Sequence, residues 1–313
     1  MSTIFVVGSL NIDQTIRVRA LPRGGETVRG SDAVYGPGGK GGNQAVAAAR
    51  AGAAVAFTGA VGDDAHGRRI LEILSGAGVD CRHIRVVDAV PTGTAVIAVD
   101  DEGQNQILVS PGANSSLTTE DMDIAEAREG DILVLQLEIP ATLVRRAARS
   151  AKSRGLFVVL NAAPAPLQIE ELFDDVDLLV VNEQEISLVA DLTGIPASDP
   201  LDLVRLLPAV LGPAIVYTAG AEGSFTVLGD NLVHVPALTV ITKDTTGAGD
   251  TFVGYLAASL LADPGDLVTA MKLATRASAL AVARSGAMES IPHREEVLQA
   301  PDSPSTPPPQ GDS

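Results

Sequence analysis

Tryptophan is absent, and aromatic residues make up only 3% of the 313-residue chain. Since 46% of the sequence is hydrophobic, the core has to be built from Ala, Val, Leu and Ile. Cys81 is the single cysteine, which excludes a disulfide framework and points to a reducing compartment. Positive charge is scarce as well: 22 Lys and Arg stand against 39 Asp and Glu, a formal net charge of −17. Such a balance argues against nucleic acid or an anionic membrane as partner, yet leaves room for a phosphate held by local donors. Uninterrupted apolar runs of membrane-spanning length are missing, because Arg50, Arg146 and Arg276 break the Ala-rich stretches. The first residues carry neither the basic start nor the apolar length of a signal peptide. A soluble, cytoplasmic protein of enzyme size is expected.

What is present is organised around Lys243–Ala262. A β-branched run, Leu238–Thr242, leads through Thr-Thr-Gly-Ala-Gly-Asp into a long apolar helix starting near Gly249. Gly247, Ala248 and Gly249 can turn several N–H groups outward where the helix dipole is positive, which attracts an anion. Asp250 places a carboxylate beside that spot. An anion cradle with a base next to it is what phosphoryl transfer needs. An acidic residue in a first helical turn also does no more, in many proteins, than complement the dipole. Both readings stand on this stretch alone.

Val-rich runs alternate with Ala-rich helical stretches, as in an α/β protein. Buried strands are expected at Ile4–Leu10, Ala54–Val61, Asp131–Leu137, Leu156–Leu160, Asp177–Val181 and Ala214–Thr218. Several end in polar residues: Asn11 and Asp13, Glu138, Asn161, Asn182, then Thr218 with Gly220 and Gly223. Ligand groups collect at the carboxyl edge of such a sheet, although turns and helix starts favour the same residue types. Asn182 and Glu185, three apart at a helix start, suit a hydrated Mg²⁺ or an ordinary cap. Thr15–Ala20, Glu26–Tyr35, Thr92–Val99 and Asn105–Ser110 look like core-poor strands set off from the body. His66 and His83 are isolated, with no partner at metal spacing.

Gly36–Asn43 contains five glycines with Pro37, Lys40 and Asn43 among them. Gly36 to Gly41 matches G-x-G-x-x-G, but the dinucleotide fingerprint should follow the first buried strand directly, and here two weaker strands intervene. Lys40 is followed by Gly41 rather than Ser or Thr, so the run is not a Walker A loop. A glycine loop letting backbone approach a small ligand remains, with Lys40 and Asn43 as donors.

Gly36–Ala45 and Asp244–Phe252 are two long motifs, far apart and in order, with Asn11-Ile12-Asp13, Gln136–Glu138, Asn182–Glu185 and Thr218–Gly223 between or before them. Together they resemble the ribokinase branch of the PfkB carbohydrate kinase family over nearly the whole chain. The resemblance implies a three-layer α/β/α body, residues 1–300, with a mostly parallel central sheet. Its small β-sheet lid would come from about residues 14–35 and 92–110, and residues 301–313, rich in Pro and Ser, would be a disordered tail. It further implies that Asn11, Asp13, Gly39, Lys40, Asn43 and Glu138 hold sugar hydroxyls. Asp250 would be the base, and the Gly247–Gly249 amides the anion hole. Asn182, Thr218, Gly220, Gly223 and Thr275 would line the ATP site, with Glu185 ordering Mg²⁺ through water. Asp244, Thr246, Ala281, Arg284, Gly286 and Ser290 fall on positions for K⁺. The activity implied is ATP-dependent phosphorylation of D-ribose at O5 in a homodimer joined through the lid. Two departures from the family pattern are Gly42, where Ala is usual, and Thr275, where Asn or His often packs near adenine. A kinase for another sugar or a nucleoside is the near alternative. A non-catalytic sugar-binding regulator is the distant one, and it would have no use for a base.

Overall fold

The computed structural model describes residues 2–300, except 123, 125, 167, 169–170 and 197–198. The Pro/Ser-rich tail expected from residue 301 lies outside the described residues. The chain runs β1 (Thr3–Val7), β2 (Asn11–Arg17), β3 (Val34–Gly38), α1 (Lys40–Arg50), β4 (Ala54–Gly62), α2 (Ala65–Gly76) and β5 (Val79–Val87). There follow β6 (Gly93–Val99), β7 (Asn105–Ser110), β8 (Ile132–Leu135), α3 (Ala141–Ser153), β9 (Phe157–Asn161), β10 (Leu178–Asn182) and α4 (Glu183–Thr193). The last third holds α5 (Pro200–Leu211), β11 (Ala214–Thr218), β12 (Ser224–Leu228), β13 (Asn231–Val235), α6 (Ala248–Ala262), α7 (Leu267–Val282) and α8 (Arg294–Gln299).

Nine strands form the central sheet in the order β13-β12-β11-β10-β9-β8-β1-β4-β5, parallel except at β12 and β13. Because successive side chains alternate faces, each parallel strand feeds two cores. Ile4 and Val6 join Ile132, Val134, Val159 and Val180 under α1, α2, α6, α7 and α8. Phe5 and Val7 join Leu133, Leu135, Leu160 and Val181 under α3, α4 and α5. Coverage on both faces explains why these strands read as continuous apolar runs. The expected three layers are present. Among the described residues no helix is long and apolar enough to cross a membrane.

A second sheet, ordered β3-β2-β6-β7, is the lid. Its strands correct two expectations. In place of Thr15–Ala20 the strand is Asn11–Arg17, so Asn11 and Asp13 open a lid strand rather than end β1, which stops at Val7. Glu26–Tyr35 is not a strand, since residues 23–26 fold into a turn closed by Glu26 N–H to Arg23 O and Arg23 N–H to the Glu26 carboxylate, both 2.9 Å. The strand is Val34–Gly38 instead, so it takes in the first glycines of the motif. Pro37 lacks an N–H, and β3 tolerates it because it lies at the sheet edge. The Leu238–Thr242 run forms no strand either, and lines a cleft.

Candidate active site

All parallel strands point their carboxyl ends the same way, and the strand order reverses at β1, with β4 on one side and β8 on the other. A crevice at that reversal is where an open α/β sheet binds ligands. The N-termini of α1, α4 and α6 open onto the same edge.

Gly39, at φ 87°, ends β3's turn and starts α1. A Cβ there would lie 2.8 Å from Asn11 N and 2.9 Å from Ser9 O, so only glycine fits. The close approach carries Lys40 into the site. The Lys40 N–H donates to Glu138 Oε2 at 3.0 Å, and Ser9 Oγ donates to the same oxygen at 2.6 Å. Glu138 thus meets the start of α1, rather than its own following helix. Asn11 is buried, and Asn114 Nδ2 donates to its Oδ1 at 2.8 Å, which leaves the Asn11 amide hydrogens for a ligand. Sequence reasoning missed Asn114, which sits in a short 3-10 turn, Gly112–Ser116, without any recognisable pattern.

Asp250 lies in the first turn of α6 and is 6% exposed. Asn43 Nδ2 donates to its Oδ2 at 2.8 Å, and Gln44 Nε2 donates to its Oδ1 at 2.9 Å. A carboxylate so buried and so held does more than complement a helix dipole. Gly247, at φ 74°, caps α6 and presents the Ala248 and Gly249 turn to the cleft. Burial first, then the carboxylates of Glu138, Asp250 and Glu289, push Asp13 up to about 7 against the pull of Lys40. For Lys40, burial works to lower the pKa, but Asp250, Glu138, Glu185 and Asp13 outweigh it and the net shift is upward. Lys40 is therefore a firmly held cation among four carboxylates. Glu289, another residue the sequence did not single out, adds to that negative field.

Beyond Lys40 and Asp250 extends a cleft of about 620 Å³. Gly247, Ala248 and Gly249 line one end, while Asn182, Glu185, Thr218, Gly220, Gly223 and Thr275 line the remainder. Of the residues expected on the sugar side, Glu138 accepts the Lys40 N–H, Asn43 donates to Asp250, Asn11 packs against Gly39 and Asp13 lies in the field of Glu138, Asp250 and Lys40; these four do not line the cleft itself. Lys40 and Asp250 thus belong to both groups. The Thr275 and Ser224 hydroxyls lie 3.1 Å apart, tying α7 to β12. Asn182 and Glu185 form a reciprocal cap, each accepting the other's N–H at 2.9 Å. Burial raises Glu185, opposed by the Asn182 N–H and by Lys40. The cap uses Glu185 Oε2, so a hydrated Mg²⁺ at the cleft wall would have to be held by Oε1.

Asp244 gathers the loop that leads into Gly247. Its Oδ1 accepts Thr246 N–H and its Oδ2 accepts Gly286 N–H, both at 3.0 Å. Burial works against the ionised form, but these bonds with Thr246 and Gly286 prevail and hold Asp244 below the usual carboxylate range. Arg284 spends its guanidinium on Glu296, leaving only its carbonyl for an ion. Ser290 is buried with its hydroxyl donating to Ala287 O, and Ala281 O receives the Arg284 N–H. Asp244 thus joins the Thr246 turn to Gly286, two of the stretches expected to hold K⁺.

A family profile described as pfkB family carbohydrate kinase matches residues 1–294. A ribokinase of Haemophilus influenzae is 37% identical over 302 residues, covering 95% of this chain and 97% of that protein. A deoxyribokinase of Salmonella typhi is 35% identical over 300 residues, covering 94% and 96%. The structure of Arabidopsis thaliana ribokinase complexed with ribose and ATP superposes at a TM-score of 0.84 with 33% identity, covering 96% of this chain and 98% of that one. The chain belongs to the PfkB family and is a carbohydrate kinase.

Proposed function

We propose that the chain transfers the γ-phosphate of ATP to O5 of D-ribose, giving ribose 5-phosphate. The observation that carries this is Asp250, held by two amides at the mouth of α6, where the cleft meets the carboxylate-rich pocket around Lys40. Asn11, Asp13, Gly39, Lys40, Asn43 and Glu138 hold the sugar so that one hydroxyl faces the phosphate in line. Asp250 takes the hydroxyl's proton, and the Gly247–Gly249 amides with Lys40 stabilise the charge on the moving phosphoryl group. Asn182, Thr218, Gly220, Gly223 and Thr275 receive the nucleotide. Glu185 would hold Mg²⁺ through water, and the ion would neutralise phosphate charge. Asp244, Thr246, Ala281, Arg284, Gly286 and Ser290 would hold K⁺, which would steady the loop that carries the Gly247–Gly249 amides. The lid leaves apolar side chains exposed on both faces, Val34, Ile107 and Val109 on the face of Asp13 and Tyr35 and Leu108 on the other, with Leu108 at 73%, which supports a homodimer joined there.

The deciding experiment is ADP release over a panel of sugars and nucleosides, run with K⁺ and again with Na⁺. Ribose should give the highest kcat/KM, and K⁺ the higher rate. Turnover of 2-deoxyribose above ribose would move the assignment to the deoxyribokinase relatives, and a silent panel would leave only sugar binding.

Asp13 supplies a pH test. In the sugar-free protein it keeps its proton to about pH 7. Ionised, it accepts hydroxyls more strongly, so the KM for the sugar should fall severalfold as pH rises from about 6 to about 8. Asp13→Asn should flatten that profile; an unchanged profile would place Asp13 outside the sugar contacts. The stability sign is opposite. A folded-state pKa above the unfolded 3.8 gives Asp13 a contribution present below 3.8 and lost as pH rises through about 7. The difference in Tm between the protein and Asp13→Asn should change over that window, in the absence of sugar.

A further inference from the structure

Beneath the base runs a row of buried amides that the reaction scheme does not use. Gln136 Nε2 donates to Gln44 Oε1 at 2.8 Å. Gln44 Nε2 donates to Asp250 Oδ1 at 2.9 Å and to Asn161 Oδ1 at 3.1 Å. Asn161 Nδ2 then donates to the main-chain oxygen of Val180 at 3.2 Å. Gln44 and Gln136 have no exposed surface and Asn161 has 7%.

Two acceptors fix the direction of this row. A main-chain carbonyl can only accept, so Asn161 must turn its Nδ2 to Val180 and its Oδ1 to Gln44. An ionised carboxylate can only accept, so Asp250 also demands an N–H from Gln44. Both hydrogens of Gln44 Nε2 are then used, and its oxygen must face Gln136, whose Nε2 meets it. Turned over, Gln44 would set an oxygen against the Asp250 carboxylate and against Asn161 Oδ1. In a buried site that mismatch is severe.

Asp250 Oδ1 is thereby committed to the row. Oδ2 is in a different position. Its donor is Asn43, which also belongs to the expected sugar contacts and whose own Oδ1 is buried without a partner among the described residues. An incoming hydroxyl can therefore share Oδ2 with Asn43, while Oδ1 stays where it is.

We propose that Gln44 is the positioning residue of the base: it grips Oδ1 of Asp250 and so aims Oδ2 at the reacting hydroxyl, with Gln136 and Asn161 fixing which way its amide faces. This assignment rests on Asp250 being the base. The row joins α1, α6 and the ends of β8 and β9, so it sets the carboxylate's angle against the whole sheet edge.

Gln44→Met keeps the length and apolar bulk of the side chain and removes the donor. It should lower kcat by about 10–10² while both KM values stay within about twofold, because neither substrate touches Gln44. Gln136→Met reaches neither base nor substrate, yet frees the Gln44 amide to turn. It should lower kcat by a smaller factor, and the double variant should be no slower than Gln44→Met alone. Steady-state rates are read with the sugar that the panel shows to be turned over best, alongside Tm. An unchanged kcat in Gln44→Met overturns the proposal, as does a double variant whose loss is the product of the two single losses. Should Gln44→Met fail to fold, Gln136→Met decides alone: a lowered kcat at unchanged KM supports the proposal and an unchanged kcat overturns it. The parallel variant Asp250→Asn separates the two levels. If it is as active as the unaltered chain, the base assignment falls; if it is crippled while Gln44→Met is not, only the positioning role falls.

Discussion

Asp250→Asn is expected to lower turnover by about 10²–10⁴ with a modest effect on sugar binding. The substitution keeps the side chain's size, and its oxygen can still accept the Gln44 N–H that Oδ1 accepts at 2.9 Å. Its new NH₂ then stands where Oδ2 stood, against Asn43 Nδ2, donor to donor. Asn43 can resolve this by turning its amide, since its Oδ1 is buried and unpaired among the described residues and would gain a partner by doing so. The fold therefore has an inexpensive way to accommodate the change, and Tm should barely move. What is lost is the acceptor for the hydroxyl proton and one negative charge beside Lys40. Single-turnover and steady-state rates on the best acceptor check this; turnover near that of the unaltered chain would remove Asp250 from the chemistry.

The sheet was legible because its strands are buried on both faces. Ile4 and Val6 serve one core and Phe5 and Val7 the other, so the run is apolar throughout; β9 and β10 end on Asn161 and Asn182 as expected, whereas β1 stops at Val7, short of Asn11. Parallel strands all finish at one edge, which is why reading polar residues just after each run collected Asn161, Asn182 and Thr218 at a common site. The two glycine motifs were legible for a different reason. Gly39 is locked between Ser9 and Asn11, and Gly247 adopts a left-handed conformation, so both are constraints of backbone that a local stretch records.

Elements that pack at the margin left weaker traces. β5 carries Asp80, Arg82, His83 and Arg85 at the end of the sheet, where one flank has no neighbour and alternation is blurred. α5 contains Pro208, and α8 is only six residues long, so neither shows a clean helical period. The lid boundary moved because Val34 and Tyr35 end one apparent run yet begin β3, whose register with Asp13 and Asn11 passes through Gly36 and Gly38. The buried amide row escaped for a more basic reason. Gln44, Gln136 and Asn161 lie on three elements far apart in the chain, and their meaning is a matter of mutual direction. Hydrophobic pattern is silent on such groups, and only the fold brings their hydrogen bonds together.

The same limit applies to the helix pair that carries the proposed base, and it yields the second large effect. α1 carries Asn43 and Gln44, α6 carries Asp250, and the two cross at Gly254, which in sequence is one small residue inside an apolar helix. A Cβ on Gly254 would lie 2.4 Å from Ala47 Cβ, 2.6 Å from Gln44 O and 2.8 Å from Ala48 N. Two of these atoms are main chain, so no rotamer change can clear them and the helices must part. Gly254→Val should therefore cost about 3 kcal/mol or more of stability, at the upper end of overpacking. Parting the helices also stretches the bonds from Asn43 and Gln44 to Asp250, and displacement of a catalytic group by about 1 Å is worth about 10² in rate. Thermal unfolding and kcat should fall together. Gly76→Ala is the control: it too is a helical glycine, but nothing lies within 4 Å of the added Cβ. Its Tm should hold or rise slightly, by up to about 1 kcal/mol in stability, with kcat unchanged. If Gly254→Val behaves like Gly76→Ala, α1 and α6 separate without consequence, and the tight crossing is not what brings base and amides together.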